Sequence, residues 1–328
     1  MLDRLSSFGA LRGAALRAAR RLRDRWTTGA FLGELEQNVL QLQRELRAGE
    51  WRPGPLRRFS IRDPKPRTIS VAPFRDRVVH HALCAELAPT FERLSDRDSY
   101  ACRPGYGQHR ALRRCQALCR RWPWVARLDV AHYFETVPHE GIIRSVSGWL
   151  RDPAALELLR RLLAAGGDCA ARGLPIGNLT SQHLGNHYLG ALDHHLRRRL
   201  RVAAMVRYMD DIAVFARTAD EAWAAVDAAD VFARDALGLE LKHAVTQVQP
   251  VRVGVPFLGA RVWPGLLRLD RRRARRWAAR LRRLERAVAD GAADGPAAAQ
   301  AQALVAWTEV AQARRWRRAV LVRGRHPR

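Results

Sequence analysis

Hydrophobic and polar positions recur along this chain with two spacings, and these predict its elements. Pairs of alternating residues on either side of a Pro-containing turn, at 59–61 and 68–71, predict a β-hairpin. An apolar run at 125–130 predicts a strand, and 206–215 predicts a tight strand–turn–strand. Helices are predicted at 11–26, 33–48, 73–87, 108–121, 139–150, 154–165, 179–199 and 219–236. This order is typical of a split βαβ sheet with helices on one face.

The last part of the chain combines helical periodicity with a high density of arginine. One apolar helix face is predicted from Trp277, Leu281, Leu284 and Val288, and a second helix is predicted at 298–322. Residues 265–328 contain 17 arginines against five acidic residues. This basic helix pair favours a nucleic-acid surface over a solvated arginine-rich bundle.

Composition narrows the class of protein. The chain has 328 residues, of which 48% are hydrophobic, so it can bury a core. Its formal charge of +26 indicates a polyanionic partner, either nucleic acid or an anionic membrane surface. A membrane partner is not expected, because no apolar run approaches the length of about 18 residues that spans a bilayer. The five cysteines form no C-x-x-C pair and no signal peptide is evident, so we expect a cytoplasmic location.

Three aspartates stand where predicted strands end. Asp129 closes the run that begins at Trp124, while Asp210 and Asp211 occupy the turn of the later strand pair. Two adjacent carboxylates on an apolar hairpin repel each other unless cations neutralise them. Two Mg²⁺ ions, with Mn²⁺ as an alternative, would bridge the attacking and leaving oxygens of a phosphoryl transfer. An Asp-Asp pair alone is expected by chance, but the tetrad Tyr208-Met209-Asp210-Asp211 is not.

This tetrad, preceded by about 80 residues by Asp-x-x-x-x-Phe, resembles the palm of a reverse transcriptase, an RNA-directed DNA polymerase. The resemblance extends from Trp51 to Arg261. It implies an α+β right-hand polymerase (fingers–palm–thumb), with a split βαβ antiparallel palm sheet and a helical basic thumb. The expected parts are an N-terminal helical extension (1–50), fingers (51–122), a palm (123–262, with fingers/palm helices at 139–199) and a thumb (263–328).

The same resemblance implies a set of site residues. Asp129, Asp210 and Asp211 match the catalytic, metal-binding aspartates, with Asp211 the least directly engaged. Phe134 matches the aromatic gate that excludes a 2′-hydroxyl, and Lys65 and Arg67 match residues that hold the triphosphate. The other implied nucleotide-binding residues are Ile176, Gly177 and Gln182. The implied template- and primer-binding residues are Arg75, Arg77, Arg103, Gly105, Asn178, Ser181, Phe257, Leu258 and Gly259. The implied partners are a template RNA, the RNA/DNA duplex and deoxynucleoside triphosphates.

One block resembles a particular type of reverse transcriptase. Most members read Gln-Gly-x-x-x-Ser-Pro where this chain reads Ile176-Gly177-x-x-x-Ser181-Gln182. That form resembles the enzymes of diversity-generating retroelements, which copy a template RNA with errors at adenines and usually work with a small basic accessory protein. Ile176 removes an amide near the incoming nucleotide, so we hypothesise that it relaxes discrimination; the alternative is that Ile176 only packs under its loop.

Other features leave alternatives open. Lys242 lies three residues before Val245, where relatives place a Lys just before a Ser or Thr, so it is only a candidate general acid. His183 and His187 are one helical turn apart, but no cysteine or glutamate completes a zinc site.

A group II intron-like, retron or phage-defence reverse transcriptase is the alternative subtype. A catalytically silent RNA-binding scaffold and a DNA-templated polymerase are the alternatives from other classes.

Overall fold

The structure is a computed structural model that describes residues 1–20, 26–62, 66–166, 171–289, 302, 304–306 and 320. The helices of eight or more residues are α2 (Phe8–Ala18), α3 (Trp26–Gly33), α4 (Leu35–Arg47), α5 (Phe74–Leu94), α6 (Gln108–Cys119), α8 (His139–Ser147), α9 (Pro153–Ala164), α10 (Leu179–His194), α11 (Ala219–Leu237) and α12 (Arg271–Ala289). Two single turns are α1 (Leu2–Leu5) and α7 (Tyr133–Thr136), and a π-helical turn at His195–Arg199 follows α10. The strands are β1 (Arg57–Arg62), β2 (Pro66–Val71), β3 (Trp124–Leu128), β4 (Ala204–Tyr208), β5 (Asp211–Ala216), β6 (Gln247–Pro250), β7 (Val255–Phe257), β8 (Ala260–Val262) and β9 (Leu267–Leu269).

The chain forms two compact units, each assembled from separate segments. The first unit comprises Met1–Asp96, Val130–His195 and Ala229–Leu241. The second comprises Arg97–Asp129, Leu196–Ala228 and Lys242–Arg328. The predicted boundaries at 50, 122 and 262 stay predictions.

The first unit is built around α5, against which α2 and α10 pack. The buried face of α5 includes Val78, Leu83, Leu87 and Phe91. The predicted end of this helix at 87 was wrong, because α5 continues through Pro89 to Leu94. Proline in a helix interior removes one backbone hydrogen bond, and the burial of Phe91 beyond it favours continuation.

The predicted hairpin is confirmed in the first unit. Strands β1 and β2 pair antiparallel, with Phe59 opposite Ile69 and Ile61 opposite Arg67. All six residues of β1 are exposed, so this ribbon is held by its own pairing and by the end of β2. Lys65 lies outside the described residues.

The second unit contains a four-stranded antiparallel sheet in the order β4-β5-β3-β6. Helices α7 to α10 connect β3 to β4, and α11 connects β5 to β6, so the chain order is that of a split βαβ sheet. The α+β class with an antiparallel sheet is therefore confirmed. Strand β6 was not predicted, because Gln247–Pro250 has no apolar alternation. Helix α6 packs on this sheet through Ala111, Leu112 and Cys115, which are fully buried.

The three short strands β7, β8 and β9 form an antiparallel sheet that joins the same core. Helix α12 follows, and its predicted apolar face is confirmed at Trp277, Leu281 and Leu284, which pack with Leu304 and Val320. The side chain of Val288 and most of the predicted helix at 298–322 lie outside the described residues. None of the helices in the described part of the chain has both the length and the apolar character that crossing a bilayer requires.

Candidate active site

A tight turn between β4 and β5 carries the acidic pair. Tyr208 pairs with Asp211 across the turn, and Met209 adopts a left-handed conformation with φ of 56°. A non-glycine residue in this region is strained, so the surrounding structure must hold it. The turn therefore presents Asp210 at the end of the hairpin in one defined conformation.

The sheet register brings Asp129 to this turn. Strand β3 pairs antiparallel with β5, and its last pair joins Leu128 to Ile212. Asp129 follows Leu128 and Asp211 precedes Ile212, so the two aspartates are neighbours at one edge of the paired strands. The backbone carbonyl of Asp129 accepts a 2.8 Å hydrogen bond from the Lys242 N–H, so the backbones of these two residues are adjacent. The predicted convergence of residues distant in sequence is thus present.

Asp211 is held through both oxygens of its carboxylate. One carboxylate oxygen accepts a 3.4 Å hydrogen bond from Arg127 Nε, and the other accepts a 3.1 Å hydrogen bond from the Leu258 N–H. Burial raises the pKa of Asp211, and nearby Asp129 raises it further, whereas Arg127 and the Leu258 N–H act in the opposite direction. Repulsion from Asp129 is thus one of the effects on Asp211, and it is smaller than the effect of burial.

Arg207 supports the turn from within the sheet. Its side chain is 1% exposed, and its guanidinium donates a 3.1 Å hydrogen bond to the carbonyl of Met209. Its backbone exchanges hydrogen bonds with Asp98 and Tyr100. Asp98 in turn is paired with Arg114 and Arg197. A buried charged donor thus fixes the strained residue that precedes Asp210.

The chemistry of these residues fits a divalent cation. Mg²⁺ is commonly bound by one or two carboxylates, with water and phosphate oxygens in its other positions. Asp129 and Asp210 supply such a pair, and the repulsion that acts on Asp211 is what a cation relieves. Within the described ranges, no group of three or more His, Cys, Asp or Glu side chains is arranged to hold a metal.

A separate cavity of about 320 Å³ lies within the first unit. Predicted nucleotide-binding residues line it, namely Arg67 from β2, Phe134 from α7 and Ile176, together with Gly173, Leu174 and Pro175 of the loop before α10. Arg172 and Glu135 add a charge of each sign, and Arg172 is held by the carbonyls of Thr136 and Gly238. A mixed polar and apolar lining of this kind suits a ligand with a charged part and a flat apolar part.

The loop that carries Ile176 is attached to β2. The Ile176 carbonyl accepts a 2.7 Å hydrogen bond from the Ser70 N–H, and Asn178 Oδ1 accepts one of 3.3 Å from the Ala72 N–H. Gly177 has φ of 119°, and a Cβ there would lie 2.8 Å from the Ser70 carbonyl oxygen. Glycine is therefore required where the loop approaches the strand. Ser181 is buried on α10, whereas Gln182 is exposed and lies outside the described cavity lining.

Comparison with known proteins agrees with this geometry. The chain matches the family "Reverse transcriptase (RNA-dependent DNA polymerase)" over residues 61–262. The chain belongs to the reverse transcriptase family. The match contains Asp129, the Asp210–Asp211 turn and the loop at Ile176. The predicted enzyme class, an RNA-directed DNA polymerase, is the class of this family.

Similar curated proteins include one from a bacterium and two that are encoded in yeast introns. Protein YkfC of Escherichia coli is 30% identical over 171 residues, which are 48% of this chain and 45% of that protein. The uncharacterized 91 kDa protein in the cob intron of Schizosaccharomyces pombe is 29% identical over 136 residues, which are 40% of this chain and 17% of that protein. The putative COX1/OXI3 intron 2 protein of Saccharomyces cerevisiae is 25% identical over 170 residues, 48% of this chain and 20% of that protein. The chain therefore spans less than half the length of these relatives.

Solved structures of telomerases share the fold. The apo telomerase of Candida tropicalis, truncated from its C-terminal domain, superposes with a TM-score of 0.51 at 12% identity, covering 66% of this chain and 55% of that one. The Candida albicans telomerase in complex with a TWJ fragment of telomeric RNA gives 0.50 at 11% identity, covering 67% and 46%. These similarities establish a common polymerase fold.

The predicted template and primer residues of this reverse transcriptase have mixed environments. Arg75 forms an ion pair with Glu45, and Arg77 donates to the Ala18 carbonyl at 2.9 Å. Arg103 lies over the Tyr106 ring, 3.8 Å from its centre, beside Gly105 with φ of 74°. Phe257 is buried, whereas Leu258 and Gly259 form a turn with positive φ values of 50° and 71°. Their roles toward nucleic acid stay predictions.

The histidine pair considered as a zinc site lies in an aromatic environment. His183 and His187 stack against Phe91, with ring centres 6.4 Å and 4.5 Å apart. Burial lowers the pKa of both histidines. Their contacts are those of packed core residues.

Sequence reasoning missed four residues around the acidic turn. They are Arg127 and Arg207, which contact Asp211 and Met209, and Gln108 and Arg273, which contact the Leu258 carbonyl. A signal existed for the first two, because each is a single arginine within an otherwise apolar strand beside an aspartate. Nothing in the spacing of Gln108 or Arg273 indicates this contact.

Proposed function

We propose that this chain catalyses RNA-templated DNA synthesis, extending a primer 3′-hydroxyl with deoxynucleoside triphosphates. The observation that carries the proposal is the register of β3 and β5, which makes Asp129 a neighbour of the Asp210–Asp211 turn. The family match over the same residues supports it.

In this proposal Asp129 and Asp210 hold two Mg²⁺ ions, with Asp211 in support. Bound Mg²⁺ stabilises the charge that develops on the attacking and leaving oxygens. The protein's own contribution is to hold the carboxylates in place: Arg207 fixes the turn before Asp210, and the sheet fixes Asp129. Rigid placement of charged groups reduces the reorganisation needed during the reaction.

The cavity of the first unit is proposed to bind the incoming nucleotide. Arg67, together with Lys65, neutralises the triphosphate, and Phe134 excludes a 2′-hydroxyl by steric contact. Ile176 and Gly177 are proposed to contact the base of the incoming nucleotide. Gln182 is also proposed to bind the nucleotide. Arg75, Arg77, Arg103, Gly105, Asn178, Ser181 and the turn at 257–259 are proposed to contact template and primer.

Primer extension on an RNA template tests the proposal. Wild-type protein should synthesise DNA with Mg²⁺, and Asp210→Ala should reduce the rate by about 10³-fold or more. RNA binding without synthesis by the wild type would favour the silent scaffold. Synthesis on DNA but not on RNA templates would favour a DNA-templated polymerase.

We further propose that the enzyme is of the diversity-generating retroelement type, error-prone at template adenines and assisted by a small basic accessory protein. Support comes from the Ile176–Gln182 block and from the position of Ile176 in the lining of the cavity. Ile176→Gln should lower misincorporation opposite template adenine, measured by sequencing the cDNA. An unchanged error spectrum would mean that Ile176 only packs under its loop.

A group II intron-like function is the second candidate, since two of the similar proteins are intron proteins of yeasts. The DNA around the gene separates the two. A template repeat paired with a near-identical variable repeat supports the retroelement type, and a structured intron RNA supports the alternative.

A further inference from the structure

We infer that Asp211 is a positioning residue for the turn Phe257–Gly259, and that holding this turn, rather than a metal ion, is its main task. The inference rests on the proposed function, in which the turn contacts the primer. It assigns different roles to the two aspartates of the pair.

Both oxygens of the Asp211 carboxylate contact protein donors in the second unit. Arg127 Nε lies 3.4 Å from Oδ1, and the Leu258 N–H lies 3.1 Å from Oδ2. Arg127 extends from the neighbouring strand β3, where it pairs with Ala213 of β5. The orientation of the carboxylate is therefore fixed by the Arg127 guanidinium on one side and by the Leu258 N–H on the other.

The turn needs such support because Leu258 is in the left-handed region, with φ of 50°. The left-handed conformation is unfavourable for any residue that carries a Cβ, because the Cβ crowds the following carbonyl oxygen. The Asp211 oxygen that accepts from the Leu258 N–H offsets this strain, because it satisfies the backbone donor of the strained residue. Asp211 is thus chemically suited to stabilise the turn.

The opposite side of the turn is held by two other elements. The Leu258 carbonyl accepts hydrogen bonds from Gln108 Nε2 of α6, at 3.4 Å, and from Arg273 Nη1 of α12. A Cβ at Gly259 would collide with the Arg273 guanidinium, which also lies over the Trp277 ring at 5.0 Å. Asp270 N–H adds a 3.2 Å hydrogen bond to the Gly259 carbonyl.

One residue, Leu258, is therefore held by three side chains from three elements. Asp211 is adjacent in sequence to Asp210, the proposed metal ligand. A turn tied to Asp211 keeps a fixed distance from Asp210, and a primer end resting on this turn is placed relative to the metal-holding carboxylate. Asp211 in this way affects the reaction through the primer.

The test compares Asp211→Asn, Asp210→Asn and Gln108→Ala, with Asp220→Asn as a charge-matched control on the exposed start of α11. Three quantities are measured: Mn²⁺ affinity by electron paramagnetic resonance, amide hydrogen exchange of the peptide 255–262, and binding of a recessed primer–template and of single-stranded RNA by fluorescence anisotropy. Anisotropy is measured without divalent cations, so that metal loss does not enter.

Asp211→Asn is expected to speed exchange at the turn and to weaken primer–template binding about tenfold, with RNA binding unchanged. Gln108→Ala should act in the same direction, and the double variant should be less than additive because both hold Leu258. Asp210→Asn should lower Mn²⁺ affinity without altering exchange.

Loss of Mn²⁺ affinity in Asp211→Asn, with exchange and primer–template binding unchanged, would overturn the inference and make Asp211 a metal ligand. Equal weakening of both nucleic acids would also overturn it, because that indicates general disruption. A wild type that synthesises no DNA would defeat the proposed function alone, since exchange and anisotropy still decide the role of Asp211.

Discussion

Arg207 shows how one residue can determine the geometry of the acidic turn. It is a charged side chain, 1% exposed, at a strand position where apolar residues surround it. Its guanidinium satisfies the carbonyl of the strained residue Met209. A buried arginine requires good hydrogen-bond partners, and here one partner belongs to the candidate active site.

Arg207→Lys should lower both stability and activity. Lysine keeps the charge but lacks the planar fork of donors, so we expect the free energy of unfolding to fall by about 2 kcal/mol. Primer extension measured well below the unfolding midpoint should fall further than the folded fraction, because Asp210 is no longer held in place. Urea unfolding gives the folded fraction and primer extension gives the rate, with the exposed Arg268→Lys as the control. An extension rate that falls only in proportion to the folded fraction would contradict this prediction.

Gly177→Ala should destabilise the loop that lines the cavity. A Cβ at Gly177 would lie 2.8 Å from the Ser70 carbonyl oxygen, and φ of 119° is unfavourable for alanine. We expect a loss of about 1–3 kcal/mol in the free energy of unfolding and a higher KM for nucleotide.

Gly190→Ala is the matched control for this substitution. Gly190 lies within α10 and nothing stands within 4 Å of an added Cβ, so alanine should be neutral or stabilise by up to about 1 kcal/mol. A Gly177→Ala protein as stable as Gly190→Ala would contradict the close approach of the loop to β2.

The residue types and order of the site could be predicted from the sequence, but its contacts could not. Asp129 and the Asp210–Asp211 turn follow from apolar runs that end in aspartate, a local pattern. The contact between Asp211 and Leu258 joins residues 47 apart, and it depends on how β7 meets the sheet. The buried position of Ser181 likewise depends on helix packing, which a single sequence does not specify.

At the scale of elements, periodicity predicted most helices and strands, and tertiary contacts decided the rest. The sequence pattern predicts that α5 ends at 87. In the structure the helix continues past Pro89 to Leu94, because packing against neighbouring helices stabilises its last turns. Strand β6 exists because β3 offers a free edge to Gln247–Pro250, which has no strand pattern of its own.

The contact between α5 and α10 predicts a dependence of stability on pH. His80 is 6% exposed, and its Nδ1 lies 2.7 Å from Thr180 Oγ1. Burial, with His81 and Arg77 nearby, lowers the pKa of His80 to about 4; the pKa of His81 is also lowered to about 4. Below about pH 6.5 the unfolded chain binds protons that the folded protein does not, so stability falls until about pH 4.

For His80 alone this amounts to about 2 kcal/mol between pH 7 and pH 5. Urea unfolding at the two pH values should show a smaller difference in His80→Gln than in the wild type. His132→Gln, which changes an exposed histidine of the same unit, should retain the wild-type difference. An unaltered difference in His80→Gln would show that His80 is not the group responsible.

At the scale of the whole chain, net charge is the dominant physical property. A formal charge of +26 attracts any polyanion, so affinity for nucleic acid alone does not identify a binding surface. The discriminating quantity is the salt dependence of binding, since each phosphate contact releases counterions and adds to the slope.

Helix α12 should contribute to this slope more than an equally charged region elsewhere. Its residues Arg275, Arg282 and Arg283 are exposed, whereas Leu281 is buried in the small core that α12 forms. Replacing all three by glutamine should reduce the slope of log K against log salt for an RNA–DNA duplex by about 1 to 3, if each contacts a phosphate. The matched control replaces Arg144, Arg151 and Arg160, which are exposed in or beside α8 and α9, and removes the same charge. Equal reductions in the two triple variants would mean that overall charge, rather than α12, holds the duplex.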